Sequence, residues 1–366
     1  MSRLGSLCVV ALCSLVLGAG AARGDVALAA LPGGGSVMVW SDPAGVRAQL
    51  LDDRGRATGE QMVVLGCRAE GDRLAVVATP TGAAVIFGAG GRLWVRRLGP
   101  RGEPRSDAQR IWTSLPRPAT AASVGGRIGM LARREAGPVV VTPEQGAIGT
   151  LIGTTESPQV LLVRYEGLPV VGPVLPPLAG WGEATMGARE EELATLAASP
   201  DGAFLTRVGL DGAAIGNPVR LTAPDVVASE PFLLGTRDGW VAVWTEGGAA
   251  RVALVGPEGG APRAVDMADS PRMVSPILTA VGAGIALLGR SGTDLVVVRI
   301  DSSGRRRGRP ATLASIFPEG TEPRHGLAAL AGGRDGQDLI VVIEGSPPRT
   351  LTIDARGRIV ADQSSQ

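Results

Sequence analysis

Residues 31–65 read LPGGGSVMVWSDPAGVRAQLLDDRGRATGEQMVVL, and residues 236–265 read TRDGWVAVWTEGGAARVALVGPEGGAPRAV. Both place short apolar runs between clusters of Gly, Asp and Pro, and both set two glycines 20 residues apart, Gly35/Gly55 and Gly239/Gly259. The same interval recurs at Gly82/Gly102, Gly126/Gly146 and Gly284/Gly304. Gly212 and Gly357 lie in similar text, with Glu192 and Gln337 standing where their partners would be. A Pro eight residues before the first glycine recurs as Pro118, Pro231 and Pro276. Glycine is common here, at 54 of 366 residues, so one match says little. Five matches in one register, with similar text between them, define a repeat.

The second-position glycines are spaced by 47, 44, 66, 47, 45 and 53 residues. Each unit holds four β-type runs, which in the first unit are 26–31, 37–40, 46–51 and 61–65. β-branched content and alternation suit strands, and the glycines suit hairpin turns that need a left-handed backbone. Long helical periodicity is absent, so the fold class is all-β. Four-stranded units of this length, repeated about seven times, resemble the blades of a β-propeller. The GG–apolar–W–S block followed by D-x-x-G-x-x-x-G is similar in style to repeats of secreted bacterial propellers. The resemblance covers about residues 25–366 and implies a single propeller domain of seven four-stranded blades. The 66-residue interval leaves six or eight open, and residues 158–180 read as an inserted hairpin there or as half of a divergent blade. Each unit contains whole strands, so closure is expected to rest on packing of the first blade against the last.

Residues 1–24 read as a signal peptide: Arg3, an apolar stretch over 4–17, then Ala19-Gly20-Ala21 as a small-residue cleavage site. An uncleaved anchor is the competing reading. Export is the expectation, to the periplasm or the exterior. All 36 basic residues are Arg, against 35 acidic ones, which gives no bulk attraction to nucleic acid. Beyond residue 24 only Cys67 remains of three cysteines, so no internal disulfide is expected.

The usual chemistry is sparse. A Ser-His-Asp triad needs an imidazole base, and His325 is the only histidine. One histidine and one mature cysteine do not make a common zinc site, and no calcium-loop spacing occurs, so neither metal nor other cofactor is expected. Glu190-Glu191-Glu192 reads as a charged loop. Trp40, Phe87 and Trp244 each stand 15 residues before a second-position glycine and are expected between blades. Trp94 and Trp181 fall outside that register and are candidates for exposure. The densest charge is Arg305, Arg306, Arg307 and Arg309. It resembles an AT-hook, but it also aligns with the glycine turn of the other units, which explains it first. These arginines are the candidate interaction surface.

The expectation is therefore an exported, non-enzymatic propeller that binds a protein or envelope component, without nucleic acid. One alternative is a hydrolase or lyase with carboxylates converging at the central channel. Another is a glycan or small-ligand binder with a deep, aromatic-rimmed pocket.

Overall fold

Apolar runs joined by glycine turns fold into antiparallel hairpins, and hairpins in series make a meandering sheet. The computed structural model describes residues 26–66, 74–90, 92–105, 107–112, 118–124, 127–132, 159–164, 169–174, 183–189, 192–209, 213–267, 269–317, 327–332, 336–345 and 348–364. These residues form seven four-stranded sheets, each contiguous in sequence, and contain no helix. None of the described residues thus belongs to a helix long and apolar enough to cross a membrane.

Blade 1 holds β1 (Val26–Ala30), β2 (Ser36–Asp42), β3 (Gly45–Leu51) and β4 (Ala57–Leu65). Blade 2 holds β5 (Leu74–Thr79), β6 (Gly82–Ala89), β7 (Arg92–Leu98) and β8 (Gln109–Trp112). In blade 3 follow β9 (Pro118–Val124), β10 (Arg127–Ala132), β11 (Gln159–Arg164) and β12 (Pro169–Val174). Blade 4 has β13 (Glu183–Arg189), β14 (Glu192–Ser199), β15 (Gly202–Val208) and β16 (Ala214–Arg220). In blade 5 they are β17 (Ser229–Thr236), β18 (Gly239–Glu246), β19 (Ala249–Val255) and β20 (Arg263–Ala264). Blade 6 comprises β21 (Val274–Val281), β22 (Gly284–Ser291), β23 (Asp294–Asp301) and β24 (Ala311–Leu313). The last blade comprises β25 (Leu327–Gly332), β26 (Asp338–Ile343), β27 (Arg349–Ile353) and β28 (Ile359–Ser364).

The first strands meet one another in the order β1, β5, β9, β13, β17, β21, β25, and β25 meets β1, so the ring is closed. Closure uses no exchanged strand. Val26, Leu28, Met38 and Trp40 of blade 1 pack with Ala328, Leu330, Ile340 and Val342 of blade 7. Alternate residues on the same two strands, Ala27, Ala29, Val37 and Val39, face blade 2 instead. The two inner strands of blade 1 are therefore buried on both faces. That is why β1 and β2 read as continuous apolar runs rather than alternating ones. The outer strand has no such partner: the first four residues of β4 are exposed, which is why the strand begins four residues before its apolar text.

The hairpin expected as an insertion over 158–180 is not one. β11 pairs with β10 and β12 pairs with β11, so these strands complete blade 3. The surplus length of that unit falls between Ala132 and Gln159, outside the described residues. The insertion and the blade's own outer pair look alike in sequence because both are short β-branched runs flanked by Pro and Gly.

A second recurring contact locks neighbouring blades. The turn between the third and fourth strands of one blade presses on the third strand of the blade before it. Gly55 lies against Ile340 and Thr352 of blade 7, Gly102 against Leu50 of blade 1, and Gly304 against Leu254 of blade 5. Where the third strand offers a polar side chain, it bonds the turn. Thr352 donates its hydroxyl to the Arg54 carbonyl, and Arg299 of blade 6 donates to the Asp354 carbonyl of blade 7 at 3.0 Å. Leu50, Leu254, Arg299 and Thr352 each stand five residues before their own second-position glycine.

Gly55 and Gly59 separate the two demands on such a glycine. Both are left-handed, with φ of 74° and 69°. A Cβ at Gly55 would sit 3.0 Å from Ile340 Cγ2 and 3.1 Å from Thr352 Oγ1, whereas one at Gly59 meets nothing within 4 Å. Gly59→Ala is expected to cost about 1–2 kcal/mol from backbone strain alone. Gly55→Ala should cost about 1 kcal/mol more, through overpacking against blade 7. Urea unfolding of both variants measures the difference, and equal losses would show that this turn does not press on its neighbour.

Candidate interaction surface

The turns between third and fourth strands are built on one plan. Asp52 N–H bonds the Arg56 carbonyl at 2.9 Å, and Gly55 N–H bonds the Asp52 carbonyl at 3.0 Å. The pair recurs at Gly99/Gly102, Asp301/Gly304 and Asp354/Gly357. Where the first residue is Asp, its carboxylate fills the turn. Asp52 Oδ1 accepts from the Arg54 and Arg56 amides, both at 2.9 Å, and Oδ2 accepts from Arg56 Nε at 2.8 Å. Asp354 is bonded the same way by Arg356 and Arg358. Blade 2 has Gly99 in that place, and Glu103 reaches back from the far side to the Arg101 amide at 3.0 Å.

These bonds favour the ionised carboxylate. The Arg358 amide, followed by its guanidinium and the Arg356 amide, holds Asp354 below the ordinary aspartate range. Asp301 is lowered by the Ser303 hydroxyl and then the Arg305 amide. At Asp52, burial is the largest influence and opposes ionisation, but the bonds from Arg56 and Arg54 together outweigh it.

The four candidate arginines occupy the corresponding turn of blade 6, as their alignment predicts. Ile300 bridges Arg306, and the Arg307 amide bonds the Arg299 carbonyl at 2.8 Å, so this stretch is briefly extended along β23. Extended backbone alternates its side chains. Arg305 and Arg307 are exposed, while Arg306 is half-buried and pairs with Asp269 at 3.1 Å. Arg309 is exposed beyond Gly308.

Because strands alternate in direction, the described first and third turns of the blades emerge on one face, and Gly33 of the first turn in blade 1 lies against Pro100 of blade 2. The ring sets the third turns of blades 6, 7, 1 and 2 side by side on that face. They span residues 301–309, 354–358, 52–56 and 99–105 and carry ten arginines against five carboxylates. Arg54, Arg101, Arg305, Arg307, Arg309 and Arg356 are exposed and form no side-chain ion pair with another described residue. The corresponding sequences in blades 3, 4 and 5 (165–168, 209–213 and 256–262) hold Glu166, Asp211 and Glu258 and no arginine. Among the described turns the arginines gather in four adjacent blades, while the turn of blade 5 carries Glu258 and reaches an arginine only at Arg263.

Two carboxylates on first strands do a different job. Glu183 begins the inner strand of blade 4, and its Oε2 accepts the Glu230 amide of blade 5 at 2.8 Å. Glu230 Oε2 in turn accepts the Ser275 amide of blade 6 at 2.8 Å and the Thr245 hydroxyl at 2.9 Å. Glu230 and Ser275 both take φ of 51°, in bulges that break the register of β17 and β21. The relay holds these left-handed residues in place across three blades. Sequence reading passed over Glu183 and Glu230 because each is a lone acid at a strand start. The one available signal was Glu230 directly before the recurring Pro231.

Glu192, in the place of a first-position glycine, bonds Arg207 and pairs with Arg189 at 3.2 Å, so it is no loop charge. Arg207 also reaches Glu258 of blade 5 at 3.6 Å. Trp40, Phe87 and Trp244 are buried as expected. Trp94 is half-buried, donating its indole N–H to the Ala89 carbonyl at 3.1 Å. Cys67, Trp181 and His325 lie outside the described residues. Among the described residues no three His, Cys, Asp or Glu side chains group to hold a metal ion.

No protein family matches the chain, and no curated protein does. Among solved structures, the chain is similar to a prolyl endopeptidase studied for the role of inter-domain dynamics in catalysis and specificity, with TM-score 0.54 and 11% identity over 96% of this chain and 50% of that one. It is similar to a puromycin-hydrolyzing peptidase of Mycobacterium tuberculosis, with TM-score 0.54 and 15% identity over 94% of this chain and 52% of that one. AztD of Citrobacter koseri overlays at TM-score 0.48 and 14% identity, covering 96% of each chain. The chain thus spans about half the length of the two peptidases. At these identities the likeness shows the propeller fold alone.

Two outcomes follow from the bonding. Glu230→Ala removes the acceptor of the Ser275 amide and should lower stability by about 1.5–3 kcal/mol in urea unfolding; a loss near zero would show the relay to be incidental. The turn aspartates have lowered folded values, so their stabilisation is present above the unfolded aspartate value of about 3.9 and is lost as pH falls through the lower folded value. The double variant Asp52→Asn, Asp354→Asn should therefore lose less Tm between about pH 6 and about pH 3 than the parent does. An unchanged slope would mean that these carboxylates do not stabilise the turns.

Proposed function

We propose that the protein is an exported, non-enzymatic β-propeller that binds a protein or another cell-envelope component, in the periplasm or outside the cell. The reading of residues 1–24 as a signal peptide supports export. The observation that carries the binding role is the set of four adjacent turns, each internally braced, that holds exposed arginines on one face. A surface whose backbone is already fixed loses little conformational freedom on association. The inner carboxylates Glu183 and Glu230 are engaged in joining blades, which suits a scaffold.

The test is crosslinking and mass spectrometry after capture by the purified protein from envelope and culture fractions of the source cell. The expected result is one reproducible partner, with crosslinks gathered on the face that bears the turns of blades 6, 7, 1 and 2. Crosslinks spread evenly over both faces and the rim, or no partner, would count against a dedicated binding face.

A further inference from the structure

We infer that the arginine arc of blades 6, 7, 1 and 2 is the docking site for an acidic stretch of a partner protein. This rests on the binding-module reading and names the chemistry of its partner. The arc is a product of ring closure. Arg54 and Arg56 lie near one end of the chain and Arg356 and Arg358 near the other, yet the Arg54 carbonyl accepts from the Thr352 hydroxyl of the blade that carries Arg356. On the far side of blade 7, Arg299 ties the Asp354 turn to blade 6, next to Arg305, Arg307 and Arg309. Blade 2 extends the arc through Gly102, which rests on Leu50, and adds Arg101 and Arg105.

Three observations select the occupant. First, the turns are braced before any partner arrives, and their exposed guanidiniums form the donor forks that carboxylates match. Arg56 and Arg358 are already paired with their own aspartates, at 2.7 and 2.8 Å, so the available charge lies on the arginines beside them. Second, residues 52–56, 99–105, 301–309 and 354–358 contain no aromatic residue on which sugar rings could stack. Third, the described turn of blade 5 on the same face carries an acid and not an arginine just before its glycine. Glu258 there is 90% exposed, with Arg207 at 3.6 Å. A uniform polyanion or a flat anionic bilayer gains at the arginines and is repelled at Glu258. A protein segment with an acidic stretch flanked by basic residues complements both, and Glu258 disfavours the alternatives.

The probes are an oligoglutamate peptide, the same peptide extended by lysines, a sulfated polysaccharide, and phosphatidylglycerol vesicles, each titrated into the purified protein at low and physiological salt. Both peptides are expected to bind, more weakly as salt rises, with the lysine-extended peptide the tighter of the two. The variant Arg54→Gln, Arg305→Gln, Arg307→Gln, Arg356→Gln should weaken peptide binding by at least about fivefold with an unchanged Tm, because these side chains form no ion pair with another described residue. Glu258→Gln should erase the advantage of the lysine extension and leave oligoglutamate binding intact. Peptide binding that the arginine variant does not weaken would overturn the proposal. So would arginine-dependent binding of polysaccharide or vesicles with no binding of either peptide. Repeating the envelope capture with the arginine variant separates the two levels. A partner retained equally by both proteins removes the arc and leaves the binding module standing, whereas a partner captured by neither removes the binding module.

Discussion

The contact on which this structure depends is the pressing of the third-to-fourth-strand turns of blades 1, 2 and 6 onto the third strand of the preceding blade. It requires a left-handed residue with no side chain, which is why Gly55 faces Ile340 and Thr352 so closely. It also requires a turn that keeps its shape, which the aspartate brackets at Asp52, Asp301 and Asp354 supply. Sheets that twist alike, each docked on the last, close into a ring when the accumulated rotation is complete. Here the closing step is one more contact of the same kind, with the Arg54 carbonyl held by Thr352 and an apolar cluster beneath it. No exchanged strand is needed.

That arrangement gives the molecule an uneven set of charges on an even scaffold. The same pair of backbone bonds shapes the turn in blades 1, 2, 6 and 7, so whatever follows its first residue is displayed at an equivalent place. Arginines follow it in these four adjacent blades. Net charge near zero for the whole chain conceals this local excess. A field of this form acts on the orientation of a charged partner more than on overall attraction.

Much of the architecture was legible because it depends on local terms. The 20-residue interval reports a turn that only glycine tolerates and a hairpin of constant length. The substitutions Glu192 and Gln337 still fall where the interval places them, at and just before the second strands of their blades. Trp40, Phe87 and Trp244 in one register are a common interblade core, since in blades 1, 2 and 5 that position packs on the preceding blade. The hairpin over 159–174 was misread for an equally local reason. Its strands carry no mark that separates a blade's own outer pair from an added one, and only their pairing with β10 decides.

The sequence alone was enough to determine an all-β repeat of six to eight units, the location of most of its turns, and the placement of Arg305–Arg309 on one of them. Those features follow from backbone conformation and from the period of burial, both of which act over a few residues. The tertiary structure decided which turns are neighbours. It brought Arg54 beside the blade of Arg356, placed Glu230 between the amide of Ser275 and the carboxylate of Glu183, and turned Glu192 from a surface charge into a partner of Arg207. Contacts between blades join residues distant in the chain through the geometry of the closed ring, and no local pattern of residues encodes that geometry.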